Sequence, residues 1–522
     1  MSRTLTAIVA GLLLLTACGG AGGSGASGGA APGGELTLAV ARINATLDPA
    51  ESLTTSYLRS YGVGESLAKI QADGTVAPEL AASIEQTAPD TWTVLLRDGV
   101  RFHSGAPVDA EAVRASLERT AAENELAANL LAGLTVTVAD PRTLTVRTAG
   151  PSPFLDHTLA HYELQIHNVA AYQGRTGPAG PDDADLTGAF RVTGFAPERE
   201  LTLERNPDWW GPAPGGTGVE TITVQQVGDP EARAQIAAAG QADIVDLLPG
   251  SAVPELRAAE GLDLVGAPAA NTVTVYLNPA SPVAPALADQ RVRQALAWAV
   301  DREEVAEIAG EGLTEPAASW LASNPAFPQA DQQGFVRHDP ALAARLLDEA
   351  GWVLGPDGRR AKDGQPLAFR LQTWGSEGPT GEVLQAQWDA LGVTVELSYV
   401  DDTLVQQARE RGDWDAQTAA FTTLGNVPSL FAVQMGPDGS GNYGRFAIPQ
   451  VAGLVERANT APTEQERAAA VLELNALHAE VVPGIPVHPR PQATAVADRV
   501  HGFVAHPLQY ENLVQPGYTL DG

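Results

Sequence analysis

Arg97-Asp98-Gly99-Val100-Arg101-Phe102-His103-Ser104-Gly105-Ala106-Pro107-Val108 stands between two segments of opposite periodicity. Before it, Thr91-Trp92-Thr93-Val94-Leu95-Leu96 alternates in the two-residue rhythm of a strand. After it, Asp109 followed by Ala110-Glu111 reads as a helix cap, and Val113 and Leu117 continue an apolar face over residues 109–120. Gly99 supplies the backbone freedom of a tight strand turn, and Phe102 packs inward, so the stretch is scaffold. A strand that turns directly into a helix sets the class as α/β.

The same alternation extends in both directions. Leu36-Thr37-Leu38-Ala39-Val40 is a short apolar strand, and residues 135–138 and 143–146, joined by Asp140-Pro141-Arg142, form a hairpin. Residues 201–203 and 222–224 are strands, residues 231–239 a helix, and residues 242–245 a strand. Residues 290–309 read as one amphipathic helix with Val292, Leu296, Ala299 and Val300 on a single face, and Arg293 and Asp301 available for local ion pairs. Residues 341–350 form another helix, closed by Gly351. Residues 174–185, rich in Gly, Pro and Asp, are a loop between structural units, and no internal repeat suggests a solenoid or propeller.

The chain has 522 residues with 44% hydrophobic and 18% charged, a globular composition. At roughly 150 residues per domain this is about three domain-sized units. Acidic residues number 63 against 32 basic, a net charge of −31, which excludes a nucleic-acid partner because phosphate binding needs a basic face. A single Cys excludes an intramolecular disulfide and any Cys-based zinc or iron–sulfur centre.

That Cys is Cys18, at the end of Leu15-Thr16-Ala17-Cys18, after Arg3 and the apolar run 5–15. The run is too short for a membrane-spanning helix and reads as a signal peptide, residues 1–17. The four-residue string resembles the lipobox of bacterial lipoproteins, which implies lipidation of Cys18 and anchorage to the outer face of the bacterial cytoplasmic membrane. Residues 18–34, almost wholly Gly, Ala and Ser after the Cys, make a flexible tether with a reach of about 20–25 Å. No later segment offers the roughly 18 consecutive apolar residues that a membrane span needs.

Searches for catalytic patterns fail. Gly25-Ala26-Ser27-Gly28-Gly29 matches G-x-S-x-G but lies in the tether, without strand or helix beside it. No H-E-x-x-H, phosphate loop or G-x-G-x-x-G at a strand-to-helix turn is present. The carboxylate pairs Asp182-Asp183 and Asp401-Asp402 are what chance provides among 63 acids. His157 and His161, spaced i,i+4 with His167 nearby, have a spacing compatible with nickel or zinc, against a polar helix edge flanking Phe154, Leu155 and Leu159. No metal or other cofactor is assigned, and the chain is read as non-enzymatic.

Several segments fall in a recognisable order: Leu47-Asp48-Pro49-Ala50; residues 72–82; residues 92–108; Gly188-Ala189-Phe190-Arg191; Glu204-Arg205-Asn206-Pro207-Asp208-Trp209-Trp210-Gly211; and Arg291 through Arg302. Together they resemble the family 5 extracellular solute-binding proteins, the peptide, nickel and oligosaccharide receptors of ABC importers. The resemblance implies an α/β, two-lobed periplasmic-binding-protein type II-like fold with an inserted subdomain, of the large cluster C type. It divides the chain into lobe I (35–62, 186–268 and the C-terminal return 491–522), an inserted subdomain (63–185) and lobe II (269–490). The chain would cross between lobes at residues 268–274 and 488–493.

The resemblance also implies a peptide or peptide-like solute captured between the lobes of a monomer and delivered to a permease with its cytoplasmic ATPase. Two departures bear on the solute. Nickel-type relatives carry an Arg where this chain has Tyr162, Glu163 and Gln165. Peptide receptors carry an Asp shortly before a Pro in the second lobe, and counting back from Pro428 puts Leu424 there. A Leu cannot balance a buried ammonium, whose desolvation costs several kcal/mol. Blocked or modified peptides, opine-like metallophores and oligosaccharides therefore stay open, and so does a secreted lipoprotein hydrolase or an adhesive surface protein.

Cleft residues are expected at loop positions and among aromatics, whose broad faces and polar tips suit a partly polar ligand. They are Tyr57, Tyr61, Tyr162, Tyr276, Trp374, Thr422, Thr423, Asn426, Asn442, Tyr443, Arg445, His488 and Arg490. Arg490 is suited to pairing a ligand carboxylate.

Overall fold

The computed structural model describes residues 34–521, apart from 52–53, 213–217, 311, 328–329, 331–333, 336, 375–376, 401 and 512. The signal segment, Cys18 and nearly all of the tether lie outside the described residues. Strand Thr91–Leu96 leads into the turn at Gly99, whose φ of 75° lies in the left-handed region, and Phe102 is buried. Asp109 caps helix Ala110–Glu123, its side chain accepting the Ala112 N–H at 2.9 Å. The strand belongs to a four-stranded sheet with Ala81–Ala88, Thr143–Arg147 and Thr135–Asp140. That sheet packs on the helix around Val94, Leu96, Val100, Phe102, Val113, Leu117 and Leu144, a core separate from the rest of the chain.

Apart from seven short strands that pair in sheets of three, two and two, the remaining strands among the described residues build one ten-stranded sheet. In chain order they are β1 (Glu35–Val40), β2 (Phe190–Ala196), β3 (Glu200–Arg205), β4 (Thr221–Gln226), β5 (Ile244–Val245), β6 (Leu262–Leu277), β7 (Ala368–Thr373), β8 (Thr394–Tyr399), β9 (Ala416–Thr422) and β10 (Gly484–Ala497). Their spatial order is β8-β7-β9-β6-β10-β5-β1-β4-β3-β2. One end packs a core on Leu36, Leu38, Phe190, Leu203, Ile222 and Val224, the other a core on Val275, Leu296, Leu371, Trp388, Ile485 and Val487.

The two long antiparallel strands β6 and β10 carry the sheet from one core to the other. Their register runs from Leu262↔Ala497 to Tyr276↔Gly484 and shifts between Pro268 and Thr272, where Pro489 and Pro491 stand opposite. Proline donates no ladder hydrogen bond and a bulge bends its strand, so this is where the sheet is most easily flexed. The result is two lobes joined by a pair of extended strands.

Residues 290–309 are not one helix. Helix Gln290–Trp298 ends and helix Arg302–Gly310 begins after a break at residues 299–301. The buried Arg302 guanidinium donates to the carbonyls of Ala297, Val300, Ala317 and Pro486, capping the first helix and tying the break to β10. The expected ion pairing also differs. Arg293 is buried and donates to the carbonyls of Leu287, Ala288, Val481 and Val482, while Asp301 meets His338 at 3.3 Å. Among the described residues no helix is long and apolar enough to cross a membrane.

Candidate functional site

Three tyrosines from distant parts of the chain gather on the first-lobe side of the hinge. Tyr57 lies on helix Thr54–Ser60, Tyr162 on the 3-10 turn Tyr162–Leu164, and Tyr510 on the 3-10 turn Gln509–Glu511. The Tyr162 and Tyr510 ring centroids are 4.5 Å apart, and Tyr57 meets Tyr510 edge-on at 6.4 Å. Burial raises all three phenols above their usual value, so the hydroxyls stay protonated as donors. Tyr510 carries no local pattern that marks it; only its partners do.

His161 packs on Tyr162 at 4.2 Å, its Nδ1 accepting the Glu163 N–H, and burial lowers its pKa to about 4. The helix holding His157 is Leu155–Leu159 and stops short of His161, so the two imidazoles do not share a helix face. His157 instead turns to Asp156 at 2.9 Å. This corrects the i,i+4 geometry expected of the pair. Among the described residues no cluster of three or more His, Cys, Asp or Glu side chains could hold a metal ion.

The second-lobe wall is built from β6, β7 and β10. Arg490 on β10 donates through Nη2 to Oε1 of Glu377, which is 3% exposed, while Arg490 itself stays half-buried. Trp374 follows β7, and the Glu377 N–H closes a turn on its carbonyl at 2.9 Å. Tyr276, near the end of β6, is buried with its ring edge-on to Phe421 and Tyr443 at 5.6 and 6.0 Å. The Arg409 guanidinium lies 3.7 Å over the Tyr443 ring. Burial raises the Tyr510 pKa most, the Glu163 charge adds to that rise, and the Arg490 charge works against it. Leu424 is buried in an apolar cluster with Ala68, Ile70, Ala160 and Ala270, drawn from both sides of the hinge. No charge stands at position 424 to receive an ammonium.

The other expected residues have scaffold partners. Tyr61 sits in the first-lobe core at 2% exposure and donates its hydroxyl to the Arg42 carbonyl. Thr422 and Thr423 both donate side-chain hydroxyls to the Ala270 carbonyl, fastening β9 to the hinge strand. Asn426 caps helix Val427–Met435. Asn442 ties the Gly-rich loop, donating to Gly436 and Phe446 carbonyls and accepting the Phe446 N–H. His488 is buried between the Thr380 hydroxyl and the Pro489 carbonyl, with its pKa lowered by burial so that the ring is neutral. Arg445, at φ 50°, is exposed. The structure thus groups Tyr57 and Tyr162 with Tyr510, Tyr276 with Tyr443, and Arg490 and Trp374 with Glu377.

The model of bacterial extracellular solute-binding proteins, family 5 Middle, matches residues 75–442. The chain belongs to this family. It is 23% identical over 511 residues to the nickel-binding protein NikA of Staphylococcus aureus, covering 97% of this chain and 96% of that one. It is 27% identical over 333 residues to the glutathione-binding protein GsiB of Salmonella paratyphi A, covering 62% of each. The crystal structure of NikA from Brucella suis in complex with Fe(III)-EDTA superimposes with a TM-score of 0.82 at 23% identity, covering 93% of this chain and all of that one. Family 5 proteins are extracytoplasmic solute-binding components of ABC importers, working with permeases and ATPases, and are not enzymes.

Proposed function

We propose that this family 5 protein captures a small peptide or peptide-like solute between its lobes and releases it to a permease, remaining tethered through a lipid on Cys18. The observation that carries the reading is Arg490. Its guanidinium is held by Glu377 on one edge and stays half-exposed on the rest, on the long strand β10; in this reading it faces the cluster of Tyr57, Tyr162 and Tyr510. A fixed guanidinium recognises a carboxylate, and tyrosines grip backbone amides and flat side chains. A solute that touches both walls binds the closed form more tightly than the open one and so drives closure.

In this reading lobe I is 35–62, 186–268 and 491–522, the inserted subdomain is 63–185 and lobe II is 269–490, acting as a monomer. A second reading, a metal complex of an amino-acid-derived chelator, is supported by the full-length similarity to a nickel-binding protein, and such a complex offers carboxylates to the same Arg490. Native mass spectrometry of residues 35–522 purified from its own host, with metal analysis of the same sample, separates the two. A co-purified metal-free mass in the small-peptide range supports the first. A stoichiometric nickel, cobalt or zinc complex replaces it with the second. Cys18→Ser releasing the protein from membranes supports the anchor, and unchanged membrane association removes it.

A further inference from the structure

Four buried polar atoms around the hinge have no hydrogen-bond partner: Oε2 of Glu377, Oδ1 of Asn271, Nε1 of Trp374 and Nε of Arg490. Leaving such an atom unmet is costly, and native interiors satisfy most of them. These four do not lie scattered. Arg490 stands on β10 opposite the register shift of β6 that contains Asn271, because Pro268 pairs with Pro491 and Thr272 with Pro489. Glu377 is bonded to Arg490, and Trp374 to Glu377 through the backbone turn. Glu377 and Arg490 are thus in contact, Trp374 lies one turn from Glu377 along the chain, and Asn271 lies on the strand opposite Arg490.

Their chemistry is also paired. Glu377 and Asn271 offer acceptors, one of them on an ionised carboxylate, and Trp374 and Arg490 offer donors. Water alone would satisfy such atoms one by one, but a single small group supplies both needs at once: an ammonium beside a carboxylate or carbonyl oxygen. We infer that Glu377 is the counter-ion for a free ammonium on the solute, with Trp374 and Arg490 receiving the oxygen next to it, so that the preferred ligand carries an unblocked amino-acid head group. This rests on the peptide-like reading above and deepens it. It also explains how Leu424 is accommodated, since the acid that balances the ammonium has moved from the loop after β9 to the turn after β7.

The test uses residues 35–522 stripped of ligand, with three probes: a mixture of synthetic di- and tripeptides with free termini, the same mixture N-acetylated, and nickel(II) with L-histidine. Retention is read by native mass spectrometry and affinity by calorimetry on the best-retained peptide. The expected result is retention of free-amine peptides at least tenfold over their acetylated forms, because a site built around a hydrogen-bonded group rejects the analogue lacking it. Glu377→Gln should then weaken the free-amine peptide at least tenfold while leaving any residual binding of the acetylated form unchanged. Equal retention of free and acetylated peptides by the wild type overturns the inference and leaves the peptide reading in place. An affinity of Glu377→Gln within twofold of wild type does the same. Retention of the nickel–histidine complex with neither peptide mixture overturns both, and the wild-type comparison stands whether or not the variant folds.

Discussion

Glu65 and Glu377 are both buried glutamates, 7% and 3% exposed, one near the root of the inserted subdomain and one in the second lobe. Glu65 has each carboxylate oxygen filled, by the indole N–H of Trp209 and of Trp210 at 3.0 Å each. Glu377 has one oxygen on Arg490 and one on nothing. A cavity of about 590 Å³ opens beside Glu65, and several of the charged side chains that line it already have partners. Arg59 is held between Glu79 and Glu511, and Arg97 lies 4.5 Å over Trp210. Burial of an acid is thus no sign of a binding site. What separates the two is the count of partners: a filled carboxylate locks elements together, and the half-filled one is the group to which the inference above gives a ligand.

The contrast breaks most readily at Glu65. Glu65→Ala strands two indole donors and should cost about 3 kcal/mol in urea unfolding, with peptide affinity of the folded fraction unchanged. An unaltered unfolding midpoint would mean that the indoles find water and that Glu65 locks nothing. The next effect concerns pH. Burial first, and the neighbouring Glu79 charge second, raise the Glu65 pKa from 4.5 to about 7. A carboxyl that binds its proton more tightly when folded contributes stability below its unfolded pKa and loses it as pH rises through the folded one. Wild type should therefore lose stability relative to Glu65→Gln between pH 4.5 and 7, and parallel melting curves for the two across that range would contradict it.

Trp374→Phe sharpens the other side. Its indole N–H has no partner to lose in the empty protein, so the melting temperature without ligand should hold, while peptide affinity falls about fivefold, the worth of one hydrogen bond. A loss of stability with no change in affinity would make Trp374 scaffold. The smallest change is at Tyr61→Phe, which removes the bond to the Arg42 carbonyl and should cost about 1 kcal/mol of stability without touching affinity. Tyr162→Ala should lower peptide affinity and, because its ring packs on Tyr510 and His161, cost stability as well.

Much of the architecture was legible because it is local. Asp109 before an apolar face, Gly99 at a turn and the hairpin around Pro141 each specify backbone geometry within a few residues, and each forms as read. The helix over 290–309 was misread for a tertiary reason: the group that ends it is Arg302, whose partners include Ala317 and Pro486. The site divides in the same way. Tyr57, Tyr162, Trp374 and Arg490 are candidates in the sequence by residue type and expected loop placement, but the structure puts Tyr57 on a helix and Arg490 inside β10. Tyr61, Asn442 and His488 occupy similar positions in the sequence, yet their polar atoms meet Arg42, Gly436 and Thr380 instead.

Periodicity and caps in the chain were enough to establish the α/β class, because each depends on neighbours in sequence, while the two lobes and the receptor role came from the family resemblance that the ordered motifs carry. Which polar atoms are spent and which are left over depends on partners brought from far along the chain. Tyr510 reaches Tyr162 from the C-terminal return, and Glu377 reaches Arg490 across β10. Hydrogen-bond valence is settled only when those segments meet, so which polar atoms are left unmet, unlike the fold class, became readable only in three dimensions.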